Sequence, residues 1–124
     1  MSPVVGDVWF ATVKFDRGRG EKGRPVVVYD FSMGGGYLVV ECTSHAARPD
    51  FKGEVKLKYW QDDGLSKETV VRCTQRHDIP QEAIDNGWKM GHLVNDDFDA
   101  VMHGLAESEN NYVMRLGRRY AHTR

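Results

Sequence analysis

The sequence predicts one mainly β domain, a small and strongly bent barrel finished by a single C-terminal helix. Three observations lead there. Short apolar, β-rich runs follow one another at close spacing, separated by Gly-, Pro- and Asp-containing turn signals. Helical periodicity stands out in one long stretch only, over residues 96–107. A chain of 124 residues suits one domain that buries roughly two thirds of its unfolded surface without staples.

The elements follow in order. VWFATVKF (8–15) sets Trp9, Ala11, Val13 and Phe15 on one face of a strand. A Gly/Arg loop (16–24) leads to a second strand at 25–31. Pro25 fits its first position, where no ladder donor is required. SMGGG (32–36) is a turn, since glycine reaches positive φ cheaply, and YLVVEC (37–42) is the return strand. TSHAARPDFK (43–52) reads as a loop. EVKLKYW (54–60) alternates, with Val55, Leu57 and Tyr59 opposite Lys56 and Lys58. QDDGLSK turns the chain into another strand, TVVRCTQ (69–75). One helical turn is expected in IPQEAID (79–85) and a short last strand in WKMGHL (88–93). The helix has Asn95 as its expected N-cap and Asp96 and Asp97 at the positive end of its dipole. Phe98, Val101, Met102 and Leu105 form its apolar stripe.

Composition narrows the function classes. Hydrophobic residues make up 40% and charged residues 28%, the balance of a soluble globular chain. No apolar run approaches the ~20 residues of a membrane helix, and MSPVVGDVWF lacks the features of a signal peptide. A cytoplasmic protein is expected. Cys42 and Cys73 lie in strand-like runs without CxxC spacing, so buried, reduced thiols are expected rather than a zinc site. The net charge of −1 gives no global pull toward nucleic acid. The charge is uneven, however. RGRGEKGR (17–24) is basic, residues 95–109 are acidic, and YVMRLGRRYAHTR (112–124) carries four arginines and no acid. The barrel domain is therefore placed at 1–111, with 112–124 as a basic extension.

Three stretches carry a resemblance: GDVWFATVKFD (6–16), leading through Glu21 to GRPVVV (23–28); VVECTS (39–44); and VVRCTQ (70–75). In this order and spacing, with the closing helix, residues 6–106 resemble the PemK/MazF family of bacterial toxins. The resemblance implies an SH3-like barrel, usually a homodimer. It implies a ribonuclease that cuts single-stranded mRNA without metal or other cofactor, and an antitoxin protein as partner.

Such cleavage needs few groups, because the RNA supplies its own nucleophile, the 2′-hydroxyl. A base takes its proton, cations steady the phosphorane, and an acid or water protonates the departing 5′-oxygen. Arginine suits the middle role, its planar fork matching two phosphate oxygens. Arg24 matches the family's catalytic Arg-Pro arginine, and Pro25 stiffens the backbone beside it. Thr43 matches the family's active-site threonine and Arg72 the second arginine of the PemK type. That type carries an aspartate where this chain has Thr74, so the base is unassigned. His45 is the candidate replacement, with His77 and Asp78 behind it. Arg17, Arg19, Ser44, Gln75 and Arg76 are candidate RNA contacts. Strand alternation would place Arg72, Thr74 and Arg76 on one face and Cys73, Gln75 and His77 on the other. Phe51, Trp60 and Trp88 are conceivable stacking faces, though core or interface is the commoner fate of aromatics. The alternative is a non-catalytic toxin or interaction module of the same fold, which binds RNA or a protein target.

Overall fold

The computed structural model describes residues 2–14 and 20–122, with the backbone alone for 109–122. Six strands and two helices follow in the order β1 (Asp7–Lys14), β2 (Glu21–Phe31), β3 (Tyr37–Thr43), β4 (Glu54–Lys56), β5 (Val70–Ile79), α1 (Gln81–Asp85), β6 (Trp88–His92) and α2 (Asn95–His122). They form one antiparallel sheet in the order β4-β5-β3-β2-β1-β6. The architecture is that predicted, with one difference: the sheet is not closed. β4 and β6 are its edges, and no ladder joins them.

Both faces of the sheet are covered, which explains the consecutive valines. Val27 and Val40 face a cluster with Leu57, Leu65, Val71, Leu93, Val101 and Leu105, under α2. Val26, Val28 and Val39 face the other side, with Trp9, Ala11, Val13 and Ile84 of α1. A strand buried on both faces reads as a continuous apolar run. All five of these valines are fully buried. The helical stripe Phe98, Val101, Met102 and Leu105 packs into the first cluster, as its spacing predicts. Cys42 and Cys73 are free and buried. Burial pushes the Cys73 thiol up to about 11 and the Cys42 thiol higher still, which keeps both unreactive.

The expected strand at 54–60 stops after Lys56: the Leu57 N–H still meets the Thr69 carbonyl at 2.9 Å, but the donors beyond it are taken from afar. The Lys58 and Tyr59 N–H groups donate to the two Asp97 oxygens at 3.0 and 2.9 Å. The chain then turns through Tyr59–Gly64 and crosses to β6. Asp63 Oδ1 accepts the Val94 N–H at 2.7 Å, and Gly64 and Gly91 meet backbone to backbone. Residues 57–69 thus fill the gap between the sheet edges. The first intrahelical bond of α2 runs from Phe98 N–H to the Val94 carbonyl, so the cap is Val94 and not Asn95. The backbone of α2 continues to His122, through the point where the sequence suggested a separate extension.

β5 carries an irregularity that the sequence hides. Arg72 stands opposite Glu41 and Arg76 opposite the adjacent Val40. Cys73, Thr74 and Gln75 are therefore surplus, and the expected alternation fails. Arg72 and His77 come to share a face, while Arg76 turns to the other.

Candidate active site

The start of β2, the end of β3 and the closing segment 57–69 meet in a cleft of about 360 Å³. Its floor is apolar, with Phe10, Pro25 and Met90. Its polar lining is one-sided in charge. Lys22, Arg24 and Lys67 line it, with Thr43, Ser44 and His45, and among the described residues no carboxylate does. In a chain of net charge −1, this local excess of cations builds a site for an anion.

Arg24 is positioned by its strand and by one carboxylate. It lies opposite Ala11 of β1, and its Nε is 3.2 Å from Glu41 Oε1. Glu41 is a buried acid inside the apolar run of β3, opposite Val26 and Arg72 in the ladder. Its second oxygen meets His77 Nε2 at 2.7 Å. Glu41 therefore sits between the Arg24 guanidinium and the His77 ring, the close polar partners that a buried carboxylate requires. Arg24 remains one-quarter exposed. Among the described residues its two terminal nitrogens have no partner, so the bidentate end of the fork is open.

Thr43, the last residue of β3, is buried, and its Oγ1 accepts the His45 N–H at 3.2 Å. The hydroxyl proton stays available to donate. The same bond shapes the turn that exposes Ser44 and His45 at the cleft.

The other candidates are placed elsewhere. Arg72 lies outside the cleft lining. Its Nε is 3.4 Å from Oε2 of Glu54, whose carboxylate also takes the Arg48 main-chain N–H, Nε and Nη2 at 2.7, 3.0 and 2.6 Å. Burial alone would raise the Glu54 carboxyl, but the Arg48 hydrogen bonds and then the Arg72 charge outweigh it and hold it below the usual carboxylate range. Gln75 is exposed within the bulge of β5, away from the cleft. Arg76 donates to the Cys73 and Leu105 carbonyls and to Ser108 Oγ, tying β5 to α2. Arg17 and Arg19 lie outside the described residues. Lys22, Lys67 and Glu41 were not singled out from sequence. A lone acid in VVECT was the available signal for Glu41. Lys67 gave none, because only the fold brings its segment to the cleft. Among the described residues no three His, Cys, Asp or Glu side chains group as metal ligands.

A small antiparallel sheet with a terminal helix and a cleft lined by Lys22, Arg24 and Lys67 defines a class of domain. Comparison with known families makes it specific. Residues 5–108 match the family described as PemK-like, MazF-like toxin of type II toxin-antitoxin system, and the chain belongs to that family, whose members are known as endoribonucleases. The fold is similar to that of the Mycobacterium tuberculosis toxin MazF-mt6, with a TM-score of 0.63 at 19% identity over 84% of this chain and 96% of that one. It is similar to two crystal forms of MazE-MazF from Deinococcus radiodurans. Form II gives a TM-score of 0.61 at 19% identity, covering 86% and 94% of the two chains. Form III gives 0.65 at 17%, covering 89% and 98%. Comparison with curated proteins returns no match.

Proposed function

We propose that the protein is the toxin of a type II toxin–antitoxin pair and cleaves single-stranded mRNA. The ribose 2′-hydroxyl attacks the adjacent phosphate, leaving 2′,3′-cyclic phosphate and 5′-hydroxyl ends. The observation that carries this reading is the cleft with Lys22, Arg24 and Lys67 and no carboxylate among its described lining residues. The Arg24 fork grips the non-bridging oxygens as charge builds on them. The charge of Glu41, 3.2 Å from the Arg24 Nε, keeps the guanidinium at the cleft, so little reorganises at the moment of reaction. Thr43 donates to the phosphate or orients the 2′-hydroxyl. His45 takes the 2′-hydroxyl proton, and an acid or water protonates the 5′-oxygen as its bond to phosphorus breaks. Arg72, one strand from Glu41 and held by Glu54, is assigned to the flanking RNA backbone. Ser44 takes a similar contact beside Thr43. No step calls for a metal, because the substrate carries its nucleophile and the side chains supply the positive charge.

The same reading gives the protein an antitoxin partner, as the MazE-MazF assemblies suggest. It acts as a homodimer in the cytoplasm, and growth arrests when it is made without the antitoxin. A non-catalytic toxin is the second reading. It is favoured by Thr74, which stands exposed in the bulge where the family's proposed base would be. One experiment separates the two: incubating mixed-sequence single-stranded RNA with the pure protein in EDTA and mapping both new ends. Discrete cuts with cyclic-phosphate ends, lost in Arg24→Ala, support the nuclease. An uncut RNA that is still bound tightly supports the second reading.

A further inference from the structure

Trp88 is large and apolar, yet 56% exposed. It lies at the edge of the sheet, on β6, directly opposite Phe10 of β1. The two rings stack, with centroids 4.4 Å apart and planes 14° from parallel. Phe10 lines the cleft. It faces Pro25 across the β1–β2 ladder and lies over Gly23, where a Cβ would come within 2.7 Å of its ring. Gly23 and Pro25 flank Arg24. Phe10 thus connects Trp88 to the cleft lining, since its ring stacks on the indole and lies against Gly23, the neighbour of Arg24. Phe10 covers one face of Trp88, and no other ring or cation stacks on it among the described residues.

We propose that Trp88, backed by Phe10, is the platform on which a base of the bound single-stranded RNA stacks, next to the phosphate held by Arg24. This rests on the ribonuclease reading and deepens it. The cleft's cations answer the phosphates, and an exposed ring beside its apolar floor answers a base. Single-strand binders combine these two parts, a cationic track and an aromatic face, and stacking one base is worth about 1–3 kcal/mol. An indole presents the largest face of any side chain, and Phe10 fixes its orientation before the RNA arrives, which lowers the ordering cost of binding. A stacked base makes no ion pair, so Trp88 contributes affinity without contributing to salt dependence.

The test uses a 2′-O-methyl oligonucleotide, which cannot be cut, titrated against the full chain and read by fluorescence anisotropy at several salt concentrations. Trp88→Ala should weaken binding about 5- to 150-fold with the salt slope unchanged. Trp88→Phe should stay within about threefold of wild type, since it keeps an aromatic face. Lys67→Ala should flatten the salt slope instead. Sedimentation of each variant monitors assembly. Unchanged affinity in Trp88→Ala overturns the platform. So does a loss of self-association in Trp88→Ala, which would make the indole a contact between copies. A wild type that binds no single-stranded RNA overturns it as well. If the wild type cuts no RNA but the binding pattern holds, the platform stands and the nuclease reading falls. If cutting is intact and the pattern is absent, the platform alone falls.

Discussion

Replacing a buried acid with its amide, Asp63→Asn, is expected to stabilise the protein, and to do so more strongly as the pH rises. Asp63 is fully buried. Its Oδ1 accepts the Val94 N–H, while Oδ2 has no donor and faces Asp97, whose two oxygens already accept the Lys58 and Tyr59 N–H groups. Two carboxylates this close and this dry cannot both ionise. Burial, then the hydrogen bond to Asp97, pushes the Asp63 carboxyl from 3.8 up to about 7. In the unfolded chain it loses its proton near the ordinary value. Between about pH 4 and 7 the folded state therefore holds the extra proton, and stability falls as the pH climbs through that window. The contribution is complete below about pH 4 and gone above about 7. At up to about 1.4 kcal/mol per pH unit, a slope that halves as the pH reaches the folded value, wild type loses roughly 2 kcal/mol from this group between pH 5 and pH 7. Asparagine keeps the acceptor for Val94 and donates permanently to Asp97, so it has no such loss. The remaining titrating groups are common to both proteins, and the difference isolates the pair. Urea unfolding at pH 5, 6, 7 and 8 should show the advantage of the variant growing by about 3 kcal/mol. Parallel curves, or a variant less stable at every pH, would refute the shared proton.

Other substitutions test other parts of the structure. Glu54→Gln removes the carboxylate shared by Arg48 and Arg72. Both arginines are partly exposed and can be hydrated, so the cost should be about 1–3 kcal/mol at pH 7. Because the folded Glu54 carboxyl lies below its usual range, its contribution is present above about 4.5 and is lost as the pH falls through the lowered value. Thermal unfolding of the variant and wild type should therefore converge as the pH falls below the ordinary carboxylate range. Gly23→Ala puts a methyl 2.7 Å from the Phe10 ring. It should cost about 1–3 kcal/mol in urea unfolding and weaken oligonucleotide binding by displacing the cleft floor. Arg24→Lys keeps the charge but not the fork. Cleavage should drop about 10²- to 10³-fold with circular dichroism unchanged, and a near-normal rate would show that a point charge suffices.

The parts of the fold legible in the sequence are those set by local pattern. The valine runs of β2 and β3 and the i, i+3, i+4, i+7 stripe of α2 announce themselves, because burial of a whole strand or of one helix face constrains neighbouring residues together. The departures all come from distant partners. EVKLKYW alternates like a full strand, but Asp97, 38 and 39 positions further on, captures the donors that would have extended it. Nothing in VVRCTQRHD marks three surplus residues, so the faces of Arg76 and His77 could not be read. The cleft follows the same division. Thr43 lies at a strand end that pattern locates, and Ser44 and His45 follow directly; Arg24 reads as part of a loop, whereas β2 begins at Glu21 and pairs Arg24 with Ala11. Lys67 and the stacked Phe10–Trp88 pair meet the site only through the sheet order, and Glu41 becomes intelligible once its two partners are seen on either side.

The segment that bridges the sheet edges is also one wall of the cleft, and the two duties limit how freely it can vary. Asp63 and Leu65 are locked into the interior, and Thr69 is buried where β5 begins. Between them only Ser66, Lys67 and Glu68 are exposed. Of these, Ser66 and Lys67 line the cleft, so a lineage, or a directed-evolution library, that retunes what this wall admits has a window of two side chains. Changes at the buried positions on either side of that window alter the folding of the sheet before they alter its choice of ligand.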